Sequence, residues 1–213
     1  MGKSVNETMH VVLSDQHIPY QDKRVEKLTF QFLRDHQPGT IHLLGDLHDF
    51  YQLSRFDKDP ERATHLQSDL DDGHRYLARL RDAHPDAKII YSEGNHEYRL
   101  QRYLWGNAKE LAGLRNMRLS QLLHLKELDI EWVDSLHPYK IGHLLYVHGI
   151  FANKHSGYSA KSHHERFGCC VIHGHTHRLG SYYRTTWDDT FAAFENGCLC
   201  ERDPTYMLKP NWQ

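Results

Sequence analysis

The sequence predicts an α/β protein in which two β-sheets pack together and helices flank them. Two observations lead to this prediction. Up to about residue 128, short apolar runs alternate with amphipathic stretches, which is the pattern of a partly parallel sheet with helical crossovers. Beyond that point the helical periodicity stops and short strand-like segments follow one another. These later segments predict a second sheet packed on the first.

Five apolar runs are predicted strands because they are short, apolar and rich in β-branched residues. They cover residues 10–14, 40–44, 88–91, 143–147 and 170–173. Two predicted helices, residues 24–36 and 61–84, lie between the early strands, and apolar residues recur three and four apart, as at Leu28, Phe32 and Leu33.

The segments after residue 128 are expected to build the second sheet. Further predicted strands cover residues 130–133, 139–141, 181–186 and 191–195, with a turn at 187–189. Residues 151–167 read as a polar loop followed by a short helix. Loops beside a rigid site often shape substrate choice, although ordinary surface capping explains this segment equally well.

The bulk composition predicts one domain, residues 1–213, in a cytoplasmic protein. No Gly/Ser/Pro-rich linker divides the 213 residues, and no apolar run approaches the roughly 20 residues of a membrane span. The net charge of -2 gives no global reason to expect a polyanionic partner. The 19 histidines are the unusual feature, because imidazole is the commonest metal ligand; we expect many of them on the surface.

The four cysteines form two close pairs, Cys169 with Cys170 and Cys198 with Cys200. We interpret them as reduced, buried thiols. A structural zinc site built from all four is the alternative, but the first pair lacks the two-residue gap of a zinc knuckle.

Each of the five predicted strands ends at a short motif of metal-binding residue types. Because sites of α/β sheets assemble at the carboxyl ends of strands, these motifs are expected to meet. Turn residues and packed histidines explain any one of them; five in order indicate a site. The motifs are Asp15-Gln16-His17, Gly45-Asp46-Leu47-His48-Asp49, Gly94-Asn95-His96-Glu97, Val147-His148-Gly149 and Gly174-His175-Thr176-His177.

These residue types favour a two-metal hydrolase. A carboxylate oxygen can be shared by two ions whereas an imidazole nitrogen serves one, so Asp46 is the candidate bridge. Two divalent ions can activate a water and neutralise a phosphoryl group. Oxygen and nitrogen ligands without thiolate fit Mn, Fe, Zn or Ni better than Ca or Mg. We expect two divalent ions, with Mn as the first choice.

The motif pattern resembles the calcineurin-like metallophosphoesterase family, in which D-x-H, G-D-x-x-D, G-N-H-[DE], a lone H and G-H-x-H occur in this order. The resemblance spans Asp15 to His177 and implies a two-sheet sandwich with the metals at one edge. It implies a first metal on Asp15, His17, Asp46 and His177, and a second on Asp46, Asn95, His148 and His175.

The same resemblance implies that His96 contacts the phosphate and protonates or stabilises the leaving oxygen, with Asp49 orienting its imidazole. An aspartate partner suits this role, because it raises imidazole basicity and fixes the tautomer. Two segments, residues 195–200 and 210–213, resemble the ending of small stand-alone members encoded by bacteriophages and bacteria.

Two positions argue against phosphoprotein substrates. The protein Ser/Thr phosphatases of this family carry an Arg after the second motif and another before the third, where this chain has Phe50 and Glu93. Bidentate Arg contacts hold phosphomonoester dianions, so we favour a phosphodiester of a nucleotide or nucleic acid. Arg99 is the nearest replacement cation; a helix-surface position is the alternative for it.

Other functions stay open. They are a phosphomonoesterase, a non-catalytic metal-binding scaffold and a zinc-dependent amide hydrolase. Residues 98–118 add a basic segment interleaved with aromatic residues, which can track a single-stranded nucleic acid. A solvated helical face, with Leu100, Tyr103 and Leu104 packed inward, explains the same segment. The oligomeric state is not predicted.

Overall fold

The computed structural model describes residues 5–57, 59, 65–202 and 210–213. It confirms an α/β fold with two sheets flanked by helices. The first sheet is parallel throughout, in the order β1-β2-β3-β4. Its strands are β1 (Asn6–Leu13), β2 (Pro38–Leu43), β3 (Lys88–Ser92) and β4 (Ile130–Val133).

The second sheet has the order β5-β6-β7-β9-β8. Its central strands β6, β7 and β9 run parallel, and the two edge strands pair antiparallel. The strands are β5 (Tyr139–Ile141), β6 (Leu144–Val147), β7 (Cys170–His173), β8 (Leu179–Thr185) and β9 (Thr190–Asn196).

The expectation that residues 130–133 join the second sheet is wrong. They form β4, which pairs with β3 so that Tyr91 lies beside Trp132. Ile130 and Val133 are buried, which completes the edge of the first sheet. The connection from β3 to β4 is a crossover broken into short helical pieces, and it lacks the long helical period that marks the earlier crossovers.

Six helices are present among the described residues. Their bounds are α1 (Lys23–His36), α2 (Leu66–Ala83), α3 (Tyr98–Asn107), α4 (Lys109–Ala112), α5 (Leu119–Leu122) and α6 (Tyr158–Phe167). Helix α1 begins after Asp22, whose side chain accepts hydrogen bonds from two backbone N–H groups of the first turn. The predicted start of α2 at residues 61–64 lies outside the described residues.

The larger hydrophobic core joins α1 and α2 to the first sheet through residues such as Leu33, Ile41 and Leu77. A smaller core joins α6 to the second sheet. Between the sheets, Tyr146 of β6 stacks against His10 and His42 of the first sheet. Nine of the 19 histidines are buried, three of which are predicted metal ligands, and six are exposed. Interior packing and the expected surface positions therefore both contribute to the histidine excess.

No helix within the described ranges has the length and apolar character required to cross a lipid bilayer.

Candidate metal centre

The loops after β1, β2, β3, β6 and β7 meet at one edge of the two sheets, as the motif positions predicted. Five of the predicted metal ligands have left-handed backbone conformations, with φ between 51° and 69°. This conformation is uncommon for residues with a Cβ, and it is found where tight loops hold functional side chains. The five are Asp15, His17, Asp46, His175 and His177.

The first cluster consists of Asp15, His17 and His177. The Nε2 atoms of the two histidines lie 3.0 Å apart, and His177 Nε2 lies 3.3 Å from Asp15 Oδ1. All three residues are buried. Two imidazole nitrogens that face each other beside a carboxylate converge on one point, which is the arrangement a divalent ion requires.

The second cluster consists of Asp46, His148 and His175, with Asn95 beside it. His148 Nε2 lies 3.2 Å from Asp46 Oδ2 and 3.0 Å from Asn95 Oδ1. Asp46 Oδ2 also lies 3.8 Å from His17 Nε2, in the first cluster. Asp46 therefore stands between the two clusters, the position that a bridging carboxylate needs.

The Nδ1 atoms of His17 and His148 already have partners. His17 Nδ1 lies 3.1 Å from Asp49 Oδ2, and His148 Nδ1 donates to the Leu44 carbonyl at 2.9 Å. Such partners fix the orientation of an imidazole and leave Nε2 for an ion. The residues present therefore fit divalent ions of the nitrogen- and oxygen-loving class.

In the metal-free protein, the imidazoles of His17 and His148 are protonated at neutral pH. Burial alone would lower the pKa of His17, but the Asp49 hydrogen bond and the neighbouring carboxylates raise this pKa to about 9. For His148 the burial effect is outweighed by Asp46, and the pKa rises to about 10. Burial opposes ionisation of Asp46, yet these histidines hold its pKa well below the usual range. A divalent ion must displace the imidazole protons.

His96 lies beside His17 and the shared Asp46, and its Nε2 is 3.7 Å from Asp46 Oδ2. Its Nδ1 donates to the backbone carbonyl of Asp49 at 2.7 Å, while the Asp49 carboxylate, 3.7 Å away, is closer to His17. The predicted orienting residue therefore lies beside His96, but its backbone carbonyl and not its carboxylate accepts the hydrogen bond. Burial lowers the pKa of His96 to about 4, so the imidazole is neutral.

Arg99 lies on the first turn of α3 and reaches the same loop. Its guanidinium donates to the Asp49 carbonyl at 2.9 Å and lies 2.9 Å from His96 Nε2. Because His96 carries its proton on Nδ1, its Nε2 accepts from Arg99. The side chain faces the metal cavity, as the clamp interpretation requires, and it also orients His96.

Glu97 has a structural role that the motif alone did not reveal. Its carboxylate is 1 % exposed and accepts hydrogen bonds from the backbone N–H groups of Asp46, His48 and Gly94, at 2.8–3.0 Å, and from the Tyr91 hydroxyl at 2.8 Å. It thus ties the second and third motif loops together. Burial and the charge of Asp46 raise its pKa to about 7, against the effect of the backbone donors.

Two histidines of the motif regions are not at the surface of the site. His48 is fully buried, lies 3.1 Å from the Tyr91 hydroxyl and stacks on Phe50. His173 is also buried and stacks against His163 of α6. Both act as packing residues.

A cavity of about 550 Å³ opens above the two clusters. A second cavity of about 410 Å³ shares Ser54, Phe56, Asn95 and Arg99 with it, so the two are continuous. Trp212, which lines the first cavity, has its ring 4.3 Å from that of His177. Sequence reasoning did not assign Phe56 or Trp212 to the site, because each lies outside the motifs and no local pattern marks it.

Comparisons with known proteins identify two relatives from phages. No protein-family model matches the chain. The gene 54 protein of Mycobacterium phage D29 is 31% identical over 177 residues, covering 80% of this chain and 69% of the relative. That of Mycobacterium phage L5 is 33% identical over 179 residues, with the same coverage. The chain belongs to the family of these gene 54 proteins. Their phage origin agrees with the resemblance of its last segments to phage-encoded members, and the two-sheet fold with five convergent motifs confirms the resemblance to calcineurin-like metallophosphoesterases.

Solved structures give a more distant likeness. Pseudomonas putida nuclease MPE is 14% identical, with 90% of this chain and 73% of that chain covered at a TM-score of 0.46. A single mutant of Vps29 from Entamoeba histolytica is 12% identical, with coverages of 94% and 80% and a TM-score of 0.43. At this level the likeness concerns the overall fold and not the site.

Proposed function

We propose that the protein is a metal-dependent phosphodiesterase whose centre holds two divalent ions, Mn²⁺ first among them. The observation that carries this proposal is the pair of histidine–carboxylate clusters that meet at Asp46 below an open cavity. When bound, two such ions supply an activated water and neutralise charge on the phosphoryl group. Asp15, His17 and His177 would hold one ion, and Asn95, His148 and His175 the other.

The chain's own residues prepare the reacting group around that centre. Arg99 donates to His96 Nε2 in the structure, and a phosphate oxygen entering between them would accept from the same guanidinium. His96 keeps its Nδ1 proton on the Asp49 carbonyl, so its Nε2 presents a lone pair to the cavity. This nitrogen would first take up the proton that the attacking water loses and would then give it to the leaving oxygen.

The limited positive charge in the cavity favours a diester over a monoester. Phe50 stands where the related phosphatases carry one arginine, and it is fully buried. Glu93 stands at the other position, and its carboxylate accepts from Ser135. Arg99 is the one Lys or Arg among the described residues that line the metal cavity. A phosphodiester monoanion needs fewer cations than a monoester dianion.

The neighbouring cavity supports a single-stranded nucleic acid as the diester. Arg55, Arg99 and Arg102 line it, and its described lining contains no carboxylate. Phe56 and Tyr103 line it too and are 67% and 45% exposed, so their rings are accessible to bases. Positive charge that follows a backbone, with aromatic rings beside it, is the pattern of sequence-tolerant strand binding.

Outside Arg99, Arg102 and Tyr103, the basic segment of residues 98–118 fits the alternative interpretation as a solvated helical face. Leu100 and Leu104 are buried as that interpretation expected, whereas Tyr103 is not. Arg115 and Arg118 are exposed and are absent from the described lining of both cavities. The proposed strand path therefore uses the first turns of α3 and not the whole of residues 98–118.

The first experiment compares Mn-reconstituted hydrolysis of a chromogenic phosphodiester with that of its monoester and with cleavage of a labelled single-stranded oligonucleotide. We expect diester and oligonucleotide turnover. Monoester turnover alone would establish a phosphatase instead, and absence of all turnover with both ions bound would indicate a scaffold.

A second experiment tests the strand path with Arg102→Ala. We expect KM for the oligonucleotide to rise roughly tenfold, and the salt dependence of KM to weaken by about one phosphate contact, while turnover of the small diester is unchanged. Arg118→Ala is the matched control and should match wild type in both assays. Equal effects of the two substitutions on the oligonucleotide would contradict the path.

A further inference from the structure

The loop after β9 places two cysteines against the first cluster. The backbone N–H of Leu199 donates to the Asp15 carbonyl at 3.1 Å, and that of Cys198 donates to the Gln213 carbonyl at 2.9 Å. Cys200 is buried, and Cys198 is half-buried. The loop is therefore fixed on both sides, and its thiols have defined positions beside His177.

The sulfur atoms and one nitrogen of His177 form a compact donor group. His177 Nδ1 lies 3.7 Å from Cys200 Sγ, and this donor group, completed by Cys198 Sγ, lies within a mutual distance of 4.8 Å. A tetrahedral zinc ion with bonds of about 2.0 Å to nitrogen and 2.3 Å to sulfur needs ligand separations of about 3.5–3.8 Å. The group thus needs only small side-chain adjustments to surround an ion.

We propose that Cys198, Cys200 and His177 Nδ1 form a thiolate site for a soft divalent ion of the zinc class. This site is chemically distinct from the carboxylate centre, since thiolates select zinc over manganese. Binding one Zn²⁺ releases the two thiol protons to solvent. The partial exposure of Cys198 lets a water complete the tetrahedron.

The two sites are adjacent through one imidazole. His177 Nε2 faces Asp15 and His17, while Nδ1 faces Cys200. Because a neutral imidazole has one lone pair, it serves one ion at a time, and it serves both only after losing its N–H proton. Zinc at the thiolate site therefore alters the affinity of the carboxylate centre for manganese, and manganese alters that for zinc by the same factor.

The other two cysteines provide an internal control. Cys170 begins β7, at the end of the strand opposite to His173 and the metal loops, and its sulfur accepts from the Ala192 backbone N–H at 3.4 Å. The four-cysteine zinc site considered from the sequence is therefore excluded, since the two pairs lie at opposite ends of the sheet.

The experiment is a titration of the full, reduced chain with Co²⁺, which replaces zinc and reports thiolate ligation by a charge-transfer absorption in the near ultraviolet. We expect this absorption in the wild-type protein, its loss in Cys198→Ser and Cys200→Ser, and its retention in Cys170→Ser. Absence of the band in wild-type protein at saturating cobalt would overturn the proposal, as would its survival in the Cys198→Ser/Cys200→Ser double variant.

A second measurement avoids dependence on variants that fold poorly. The number of wild-type thiols that react with a disulfide reagent is counted in the metal-free protein before and after stepwise addition of Zn²⁺, with no Mn²⁺ present, because an ion on His177 Nε2 would leave a proton on Nδ1. Protection of two thiols supports the site, and unchanged reactivity contradicts it. Neither readout requires phosphodiester hydrolysis, so failure of one proposal is distinguishable from failure of the other.

Discussion

Glu97 holds the second and third motif loops together, and Glu97→Gln should disrupt this contact without changing the size of the side chain. In the less costly orientation of the new amide, its NH₂ group faces Tyr91, whose hydroxyl can rotate to accept. The backbone N–H of His48 then loses its acceptor inside the protein. An unpaired buried donor costs about 1–3 kcal/mol.

The remaining backbone hydrogen bonds, from Asp46 and Gly94, lose their charge assistance, which costs about 1 kcal/mol each. Removal of a buried charge offsets part of the sum, so we expect a net loss of about 3 kcal/mol. For a domain of this size, that corresponds to a Tm lowered by roughly 6–12 °C.

The assay is thermal unfolding of the metal-free protein at pH 8, above the raised pKa of Glu97, with a chelator present so that metal affinity does not contribute. The matched control is Glu93→Gln, four residues earlier, whose partner Ser135 is at the exposed edge of the loop. We expect the control to change Tm by less than 2 °C. A Glu97→Gln protein as stable as the control would refute the conclusion that the Glu97 carboxylate holds the two motif loops together.

Two further predictions concern the centre itself. His96→Ala should reduce kcat for the diester by about 10²–10⁴-fold. Both ions should stay bound, since His96 is not a proposed ligand. Metal analysis of the purified variant checks this, and loss of an ion would show that the ligand assignment is wrong. Metal binding should release protons, because His17 and His148 have raised pKa values of about 9 and 10 in the metal-free protein. The apparent affinity for the divalent ion should therefore rise from pH 6 to pH 9, by up to about tenfold per pH unit for each proton displaced. Calorimetry in buffers of different ionisation enthalpy counts these protons. Binding that does not depend on pH and releases no protons would contradict the assignment of His17 and His148 as ligands.

Much of the site could be predicted because its residues follow strands directly. The carboxyl ends of parallel strands meet at one edge, so strand-end motifs converge whatever the loops between them contain. Contacts that depend on packing between distant segments could not be predicted from the sequence. Trp212 and Cys200 reach His177 from a distant segment, and no local pattern marks that contact.

The limits of local patterns also explain the errors. Residues 130–133 were placed in the wrong sheet because strand propensity indicates that a strand forms and not which strand it pairs with. The Asp49 carbonyl and not its carboxylate is the partner of His96, because the carboxylate pairs with His17. Residue identity cannot distinguish main-chain from side-chain acceptors.

The proposed function requires two ions that share Asp46 and act together on a phosphodiester. The most direct measurement is diester turnover against equivalents of Mn²⁺ added to the metal-free protein, for wild type and Asp46→Asn. We expect wild-type turnover to rise to its maximum at two equivalents, and we expect the variant to lose nearly all turnover. Full activity at one equivalent, or an Asp46→Asn protein as active as wild type, would contradict the shared centre.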